Sequence, residues 1–205
     1  MSQSNEIYCL ASAMLEDESG RFVLGDYLEE CGHPLSHELR TSDLDKWEIV
    51  QRLLGNGLSL DQVFQLPVTG PERLAVVFRA NLFSPMELFR LACDMAEHVL
   101  PVFLQRFPHC NTPQQILELT RLWTEGLESA RWLQLSRAAL RFYAWNNHSA
   151  AWAASATWEA SDTTDAVTAA WKAAECAVRA KGDTEEIWQL QFVQERLSNR
   201  MILAE

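Results

Sequence analysis

The chain has 205 residues, 48% hydrophobic and 22% charged, which is enough apolar material for one medium domain or two small ones. Its 8 glycines and 7 prolines are too few for a collagen-like or Pro/Gly-rich disordered chain, and too few for the many turns of an all-β barrel. A net charge of −11 argues against non-specific binding to nucleic acid, because a chain with few cations cannot displace phosphate counterions. No apolar run approaches the roughly 18 residues of a membrane span, and Met1–Asn5 lacks the signal-peptide pattern, so we expect a cytoplasmic protein that contacts no membrane.

The N-terminal region predicts a small helical hairpin. Apolar residues recur at helical spacing over Glu6–Leu15 and again over Arg21–Cys31, and Gly20 separates the two stretches. Gly32 and Pro34 end the second helix. A hairpin of this length cannot bury its apolar face alone. We therefore expect a small helical module over residues 1–40.

Residues 41–83 predict short connecting helices. Ser42 or Asp43 is suited to cap the first of these helices, because both side chains accept hydrogen bonds from free backbone N–H groups. Ser59 and Gln62 have the spacing of a capping box and predict the start of the second.

The remaining chain, residues 84–205, predicts a multi-helix bundle that opens with a long helix. Ser84 has the chemistry of an N-cap, and Glu87 stands at the third position of the helix, where it completes a capping box. The helix should reach about Arg106, with a kink at Pro101, which lacks an N–H donor.

Alanine and tryptophan dominate the centre of this bundle. Residues 138–180 contain 16 alanines among 43 residues, and alanine is the best helix former. Thr112 and Asp183 are predicted caps of a helix before and a helix after this stretch. We expect Trp152 and Trp171 to be mostly buried among the alanines. The sequence as a whole predicts an all-α protein.

One stretch resembles a known bacterial domain. Residues 21–32 read Arg-Phe-Val-Leu-Gly-Asp-Tyr-Leu-Glu-Glu-Cys-Gly. The string resembles the repeat-companion domain, whose usual core is Arg-Leu-Val-Tyr-Ala-Asp-Trp-Leu-Glu-Glu-x-Gly. The matching positions are Arg21, Val23, Asp26, Leu28, Glu29, Glu30 and Gly32. The resemblance covers about residues 6–40 and implies a module that accompanies others and has no assigned chemistry.

A second stretch lies in the predicted long helix. Residues 88–101 read Leu-Phe-Arg-Leu-Ala-Cys-Asp-Met-Ala-Glu-His-Val-Leu-Pro, which resembles the opening helix of an immunity-protein family, the immunity-five-like helical domain. Phe107 and Pro108 match its Tyr/Phe-Pro step, and residues 113–181 are rich in alanine and tryptophan, as its later helices are. The resemblance covers about residues 85–197. It implies inhibition of a toxin by binding and supplies no catalytic residues.

Four chemically active side chains crowd the predicted long helix: Cys93, Asp94, Glu97 and His98. Residues four apart share a helix face, so Asp94 could act with His98, or Cys93 with Glu97. The spacing matches neither His-Glu-x-x-His nor Glu-x-x-His. The favoured interpretation is therefore an intrahelical ion network beside a buried Cys93, in which Arg90 pairs with Asp94.

Cysteine and histidine near the hairpin offer a second candidate cluster. Cys31, His33 and His37 could ligate zinc if Cys9 supplied the fourth ligand, although a solvated loop is the favoured interpretation. The five cysteines contain no Cys-x-x-Cys pair, and the chain has no Gly-rich phosphate loop and no Gly-x-Ser-x-Gly motif. We therefore predict no cofactor, no metal site and no enzymatic activity.

The negative charge is concentrated near the N-terminus, where residues 1–65 carry 12 acidic and 4 basic residues. Six carboxylates fall on the hairpin and form the predicted partner-binding surface: Glu16, Asp17, Glu18, Asp26, Glu29 and Glu30. They could attract a partner with a basic surface, such as a toxin, a nuclease or an effector complex, or they could simply be a solvated face. The leading functional hypothesis is a non-catalytic, immunity- or antitoxin-like inhibitor. The alternative is an accessory or adaptor subunit of a larger bacterial defence assembly.

Overall fold

The structure is a computed structural model that describes residues 3–41, 44–144 and 148–203. Helices account for 77% of these residues, and none of them forms a strand, which confirms the all-α prediction. The chain divides into two compact units, Met1–Asn81 and Leu82–Glu205, which are called here the N-terminal unit and the bundle unit.

The N-terminal unit consists of short helices. Their bounds are α1 Gln3–Glu16, α2 Gly20–Glu30, α3 Leu35–Thr41, α4 Lys46–Leu53, α5 Leu60–Phe64 and α6 Gly70–Arg79. The core shared by these helices contains apolar side chains that solvent does not reach: Ile7, Leu24, Leu28, Leu53, Val63 and Leu74. Polar contacts add to this packing, because Tyr8 Oη donates to the carbonyl of Gln65 at 3.0 Å. The predicted hairpin thus buries its apolar face against the connecting helices.

Two local features position the hairpin. Gly20 is required at the start of α2, because a Cβ atom there would lie 2.9 Å from the backbone nitrogen of Met14. Arg21, the next residue, donates hydrogen bonds to the carbonyls of Leu39 at 3.0 Å and Leu44 at 2.9 Å, and so fixes the chain on both sides of α3's C-terminal end.

The capping predictions for the connecting helices have different outcomes. Asp45 caps α4, accepting hydrogen bonds from the backbone of Trp47 at 2.7 Å and Glu48 at 2.9 Å. The sequence interpretation placed this cap at residues 42–43, which lie outside the described residues. The capping box of Ser59 and Gln62 at the start of α5 is confirmed.

The bundle unit contains longer helices. Their bounds are α7 Pro85–Arg106, α8 Thr112–Thr124, α9 Ala130–Arg137, α10 Ser149–Ala160, α11 Ala166–Lys181 and α12 Asp183–Leu203, with a 3-10 helix over Ala138–Phe142. The predicted capping box of Ser84 and Glu87 opens α7, which continues as one helix through Pro101. The prediction that Thr112 caps α8 is wrong: Thr112 is the first residue of the helix, and Asn111 occupies the N-cap position without a side-chain cap. Asp183 is likewise the first residue of α12, so the helix begins where expected but the prediction that Asp183 caps it is wrong.

Alanine dominates the buried faces of α10 and α11 at the centre of the bundle unit, whereas α7 also buries large side chains such as Met95 and Phe103. Helices α7, α10 and α11 pack against one another through buried small side chains, among them Ala92, Ala96, Ala153, Ala156, Ala170 and Ala173. Such residues allow helix axes to approach to about 8 Å. Trp152 and Trp171 are only partly buried, at the edge of this core. The guanidinium of Arg179 covers the ring of Trp152 at 4.7 Å.

Candidate functional site

All six carboxylates of the predicted partner-binding surface are exposed on α1, α2 and the turn between them. This set, Glu16, Asp17, Glu18, Asp26, Glu29 and Glu30, is called here the acidic hairpin surface. Asp17 lies in the turn and accepts hydrogen bonds from Ser19, from its hydroxyl at 2.6 Å and its backbone N–H at 3.0 Å. These hydrogen bonds lower the pKa of the Asp17 carboxyl.

A basic side chain from α3 partly neutralises this surface. Arg40 pairs with Asp26, and its Nη2 atom lies 2.7 Å from Oε2 of Glu29. The sequence analysis did not anticipate these pairs. Within the described residues, no such ion pair involves the carboxylates of Glu16, Asp17, Glu18 and Glu30, so these four carry most of the surface's uncompensated charge.

Two apolar side chains accompany the carboxylates on α2. Phe22 and Val23 are both more than half exposed. Phe22 stands one helical turn before Asp26 and two turns before Glu30, and residues at this spacing share a helix face. The sequence analysis missed this pair, although both residues lie outside the apolar stripe that α2 buries. An exposed apolar centre beside carboxylates is an arrangement that protein interfaces use.

The acidic side chains of the cluster on α7 contact other helices rather than one another. Arg121 of α8 donates to Asp94 at 3.0 Å and to Glu97 at 2.5 Å, and Arg196 of α12 donates to Asp94 at 3.3 Å. The expected pair of Arg90 with Asp94 is replaced, because Arg90 Nε donates to the hydroxyl of Thr124 at 3.3 Å. The network thus joins α7 to α8 and α12.

Cys93 occupies a different environment from its charged neighbours. The side chain is buried, as expected, and burial raises the pKa of its thiol to about 12. A thiol with such a pKa is protonated at neutral pH and is a poor nucleophile. The surroundings of Cys93 therefore support a packing role.

His98 contacts a buried carboxylate that the sequence analysis did not single out. Its Nδ1 atom lies 2.7 Å from Oε2 of Glu185, a residue of α12 with no solvent exposure. Lys181 Nζ lies 3.5 Å from the same oxygen, and Gln189 Nε2 donates to the other oxygen at 3.3 Å. The imidazole stacks on Trp188, with 3.6 Å between ring centres. These contacts tie α12 to α7 and α11 and support a structural role.

The candidate zinc ligands near the hairpin have other partners or point to solvent. Cys9 and Cys31 are exposed. His33 lies with Nε2 2.5 Å from the carbonyl of Asn56 and Nδ1 3.2 Å from the backbone nitrogen of Leu35, so backbone groups engage both ring nitrogens. Across the described ranges, no group of three or more His, Cys, Asp or Glu side chains is placed to hold a metal ion.

The bundle unit exposes a second apolar surface, which the sequence analysis also missed. Four large apolar side chains, called here the bundle patch, are 60% to 86% exposed: Leu127, Trp132, Leu135 and Phe142. They fall within 16 residues, on and around α9 and the 3-10 helix. Exposed apolar side chains grouped in this way mark interaction surfaces.

No family model, no curated protein and no solved structure matches the chain. The function of these surfaces is therefore inferred from their own residues. In the part of the chain that the structure describes, no helix is both long and apolar enough to cross a membrane.

Proposed function

We propose that the chain is a non-catalytic protein that binds another protein, an immunity- or antitoxin-like inhibitor. Its partner would be a toxin or nuclease effector whose surface is basic. The observation that carries this proposal is the exposed pair Phe22 and Val23 beside the acidic hairpin surface. The aromatic side chain supplies an apolar anchor of the type found at interface hot spots, and the carboxylates supply a charged rim.

The charge of the hairpin governs how fast such a complex forms. Opposite charges raise the association rate, and salt reduces this effect because it screens exposed charges. Glu16, Asp17, Glu18 and Glu30 contribute most, since Asp26 and Glu29 share the single positive charge of Arg40. An inhibitory role is also what the resemblance of residues 85–197 to an immunity-protein family implies, although no family model matches the chain.

An adaptor subunit of a larger bacterial defence assembly is the alternative function. An adaptor needs at least two binding surfaces, and the bundle patch offers a second one besides the acidic hairpin surface. The two functions differ in the number of proteins recovered with the chain: one basic effector indicates an inhibitor, whereas several subunits in fixed proportion indicate an adaptor.

Co-purification from the native host, followed by binding kinetics, tests the proposal. The tagged full chain is compared with the double variant Glu18→Lys plus Glu30→Lys, and with Glu195→Lys, a charge reversal at an exposed residue of α12, as control. We expect the unmodified chain and the control to recover a basic protein. The recovered protein should associate more slowly with the double variant, and the rate should depend less on ionic strength.

Each outcome has a definite meaning. Equal association rates for the double variant and the unmodified chain would show that the acidic hairpin surface is a solvated face. Recovery of no protein above background would contradict the inhibitory function itself. A recovered protein whose toxic or nuclease activity persists in the complex would favour the adaptor.

A further inference from the structure

An open groove lies close to the bundle patch along the chain, because Ser136, which lines the groove, directly follows Leu135 of the patch. The groove has a volume of about 450 Å³ and lies between α8 on one side and α9 with the 3-10 helix on the other. Its lining includes Ile116, Glu118, Leu119, Leu122, Ser136 and Ala139. A volume of this size is within the ~300–1,000 Å³ of pockets that take drug-sized molecules, so the groove can hold an indole ring.

The projecting side chains and one residue of the groove share a face of α9. Trp132, Leu135 and Ser136 stand at relative positions 0, 3 and 4, the spacing at which side chains lie together along a helix. Trp132 and Leu135 project into solvent, whereas Ser136, and Ala139 of the following 3-10 helix, line the groove. An apolar projection near an apolar groove is self-complementary under a two-fold axis, because each copy carries both.

We propose that the bundle patch is a homodimer interface in which Trp132 and Leu135 of one copy enter the α8–α9 groove of a second copy. The contact is isologous, so the apolar contacts formed by one copy are formed twice in the dimer. Burial of an exposed tryptophan and leucine from each copy removes the largest group of exposed apolar side chains on the bundle unit from water.

The charges around the groove fit a second copy of the chain as its occupant. Glu118 on the rim and Arg131, next to Trp132, are both exposed, and neither has an ion-pair partner in the described part of the chain. Insertion of Trp132 into the partner's groove brings Arg131 toward Glu118 of the other copy, and the symmetry forms this pair twice. A second copy thus brings an opposite charge to each of these two side chains.

Sedimentation velocity over a range of protein concentrations tests the dimer. We expect the unmodified chain to shift from monomer to dimer, twice the monomer mass of 23.3 kDa, as concentration rises. Trp132→Glu should raise the dissociation constant of the dimer at least about 30-fold, as loss of an interface hot spot does. Ile187→Glu is the matched control, because Ile187 of α12 is also exposed and lies outside the patch. Far-UV circular dichroism verifies that both variants stay folded.

A charge exchange separates direct pairing from general surface effects. Arg131→Glu and Glu118→Arg should each weaken the dimer, because each places like charges together. The double variant should regain most of the lost affinity, since the pair is restored with reversed signs. A chain that stays monomeric at all concentrations, or a Trp132→Glu variant that dimerises as well as the Ile187→Glu control, would overturn the proposal. These readouts need no effector, so they are independent of the proposed inhibitory function.

Discussion

His98 is hydrogen-bonded to the carboxylate of Glu185, with 2.7 Å between Nδ1 and Oε2. The Glu185 side chain has no exposure to solvent. Burial of a carboxylate is costly unless hydrogen bonds and opposite charge compensate it. Lys181 and Gln189 supply further compensation. The attachment of α12 to α7 therefore depends on a small polar cluster as well as on apolar packing.

Removal of the imidazole should destabilise the bundle unit strongly. His98→Ala leaves the Glu185 carboxylate buried with a weaker set of partners, and we expect the free energy of unfolding to fall by about 3 kcal/mol. Chemical denaturation followed by circular dichroism measures this loss. The double variant His98→Ala plus Glu185→Leu should lose less than the two single variants combined. Strict additivity would contradict a direct interaction between the two side chains.

Acid should weaken the contact between α9 and the end of α10. Arg137 Nη2 lies 2.9 Å from Oδ2 of Asp162, and its Nε atom donates to the carbonyl of Trp158 at 2.9 Å. Partial burial raises the pKa of the Asp162 carboxyl, but hydrogen bonds from Thr164 and the charge of Arg137 outweigh it, and the net pKa is lowered. A lowered pKa in the folded state stabilises the protein above the unfolded pKa of about 3.9, and this stability disappears as pH falls through the folded value.

The substitution Asp162→Asn tests this pH dependence. The variant should be less stable than the unmodified chain at neutral pH, and the difference should shrink as the pH falls below about 4. Urea denaturation at neutral and acidic pH gives the comparison, with Glu195→Gln as a control at an exposed position. A stability difference that is constant from neutral to acidic pH would show that Asp162 acts through packing alone.

Local signals were readable in the sequence, whereas contacts between distant residues were not. The capping box of Ser84 and Glu87 was predicted because both residues act within one helical turn. The pairing of His98 with Glu185 spans 87 positions, and Glu185 in the first turn of a helix has the ordinary pattern of a solvated acidic residue. Arg40 was missed for the same reason, since its partners Asp26 and Glu29 lie on another helix. The exposure of Trp132 was also not readable, because it depends on which side of α9 packs against the other helices of the bundle unit.

The cysteines of the bundle unit should differ sharply in reactivity. Partial burial raises the pKa of the Cys110 thiol, but hydrogen bonds with Thr112 and Tyr143 outweigh it and lower the net pKa. Burial raises the pKa values of Cys93 and Cys176 to about 12. Because the thiolate is the reactive form, iodoacetamide should label Cys110 at least about tenfold faster than the other two under native conditions. Mass spectrometry of timed samples resolves the sites, and equal rates in denaturant serve as the control. Comparable labelling of native Cys93 would contradict its burial.

Trp152 should contribute less to stability than a fully buried tryptophan. The ring lies at the edge of the alanine core, and the guanidinium of Arg179 covers one face at 4.7 Å. We expect Trp152→Ala to cost about 2 kcal/mol, below the ~3–5 kcal/mol of a fully buried aromatic residue. Trp152→Phe keeps a smaller ring under Arg179 and should recover part of the loss. Thermal denaturation measures both variants, and a cost above that of full burial would show that the ring lies deeper than described.

The buried alanine faces of α10 and α11 restrict which substitutions the bundle unit can accept. A core of leucine and phenylalanine suffers mainly when residues shrink, whereas these two faces have almost no volume left to lose, and every added carbon pushes two helix axes apart. Positions such as Ala153 and Ala173 should therefore accept glycine, serine or cysteine far more readily than valine or leucine. The buried thiols of Cys93 and Cys176 fit this rule as near-equivalents of alanine in size. Related chains, however distant, should retain a run of small residues along α10 and α11 even where their exposed surfaces have diverged beyond comparison.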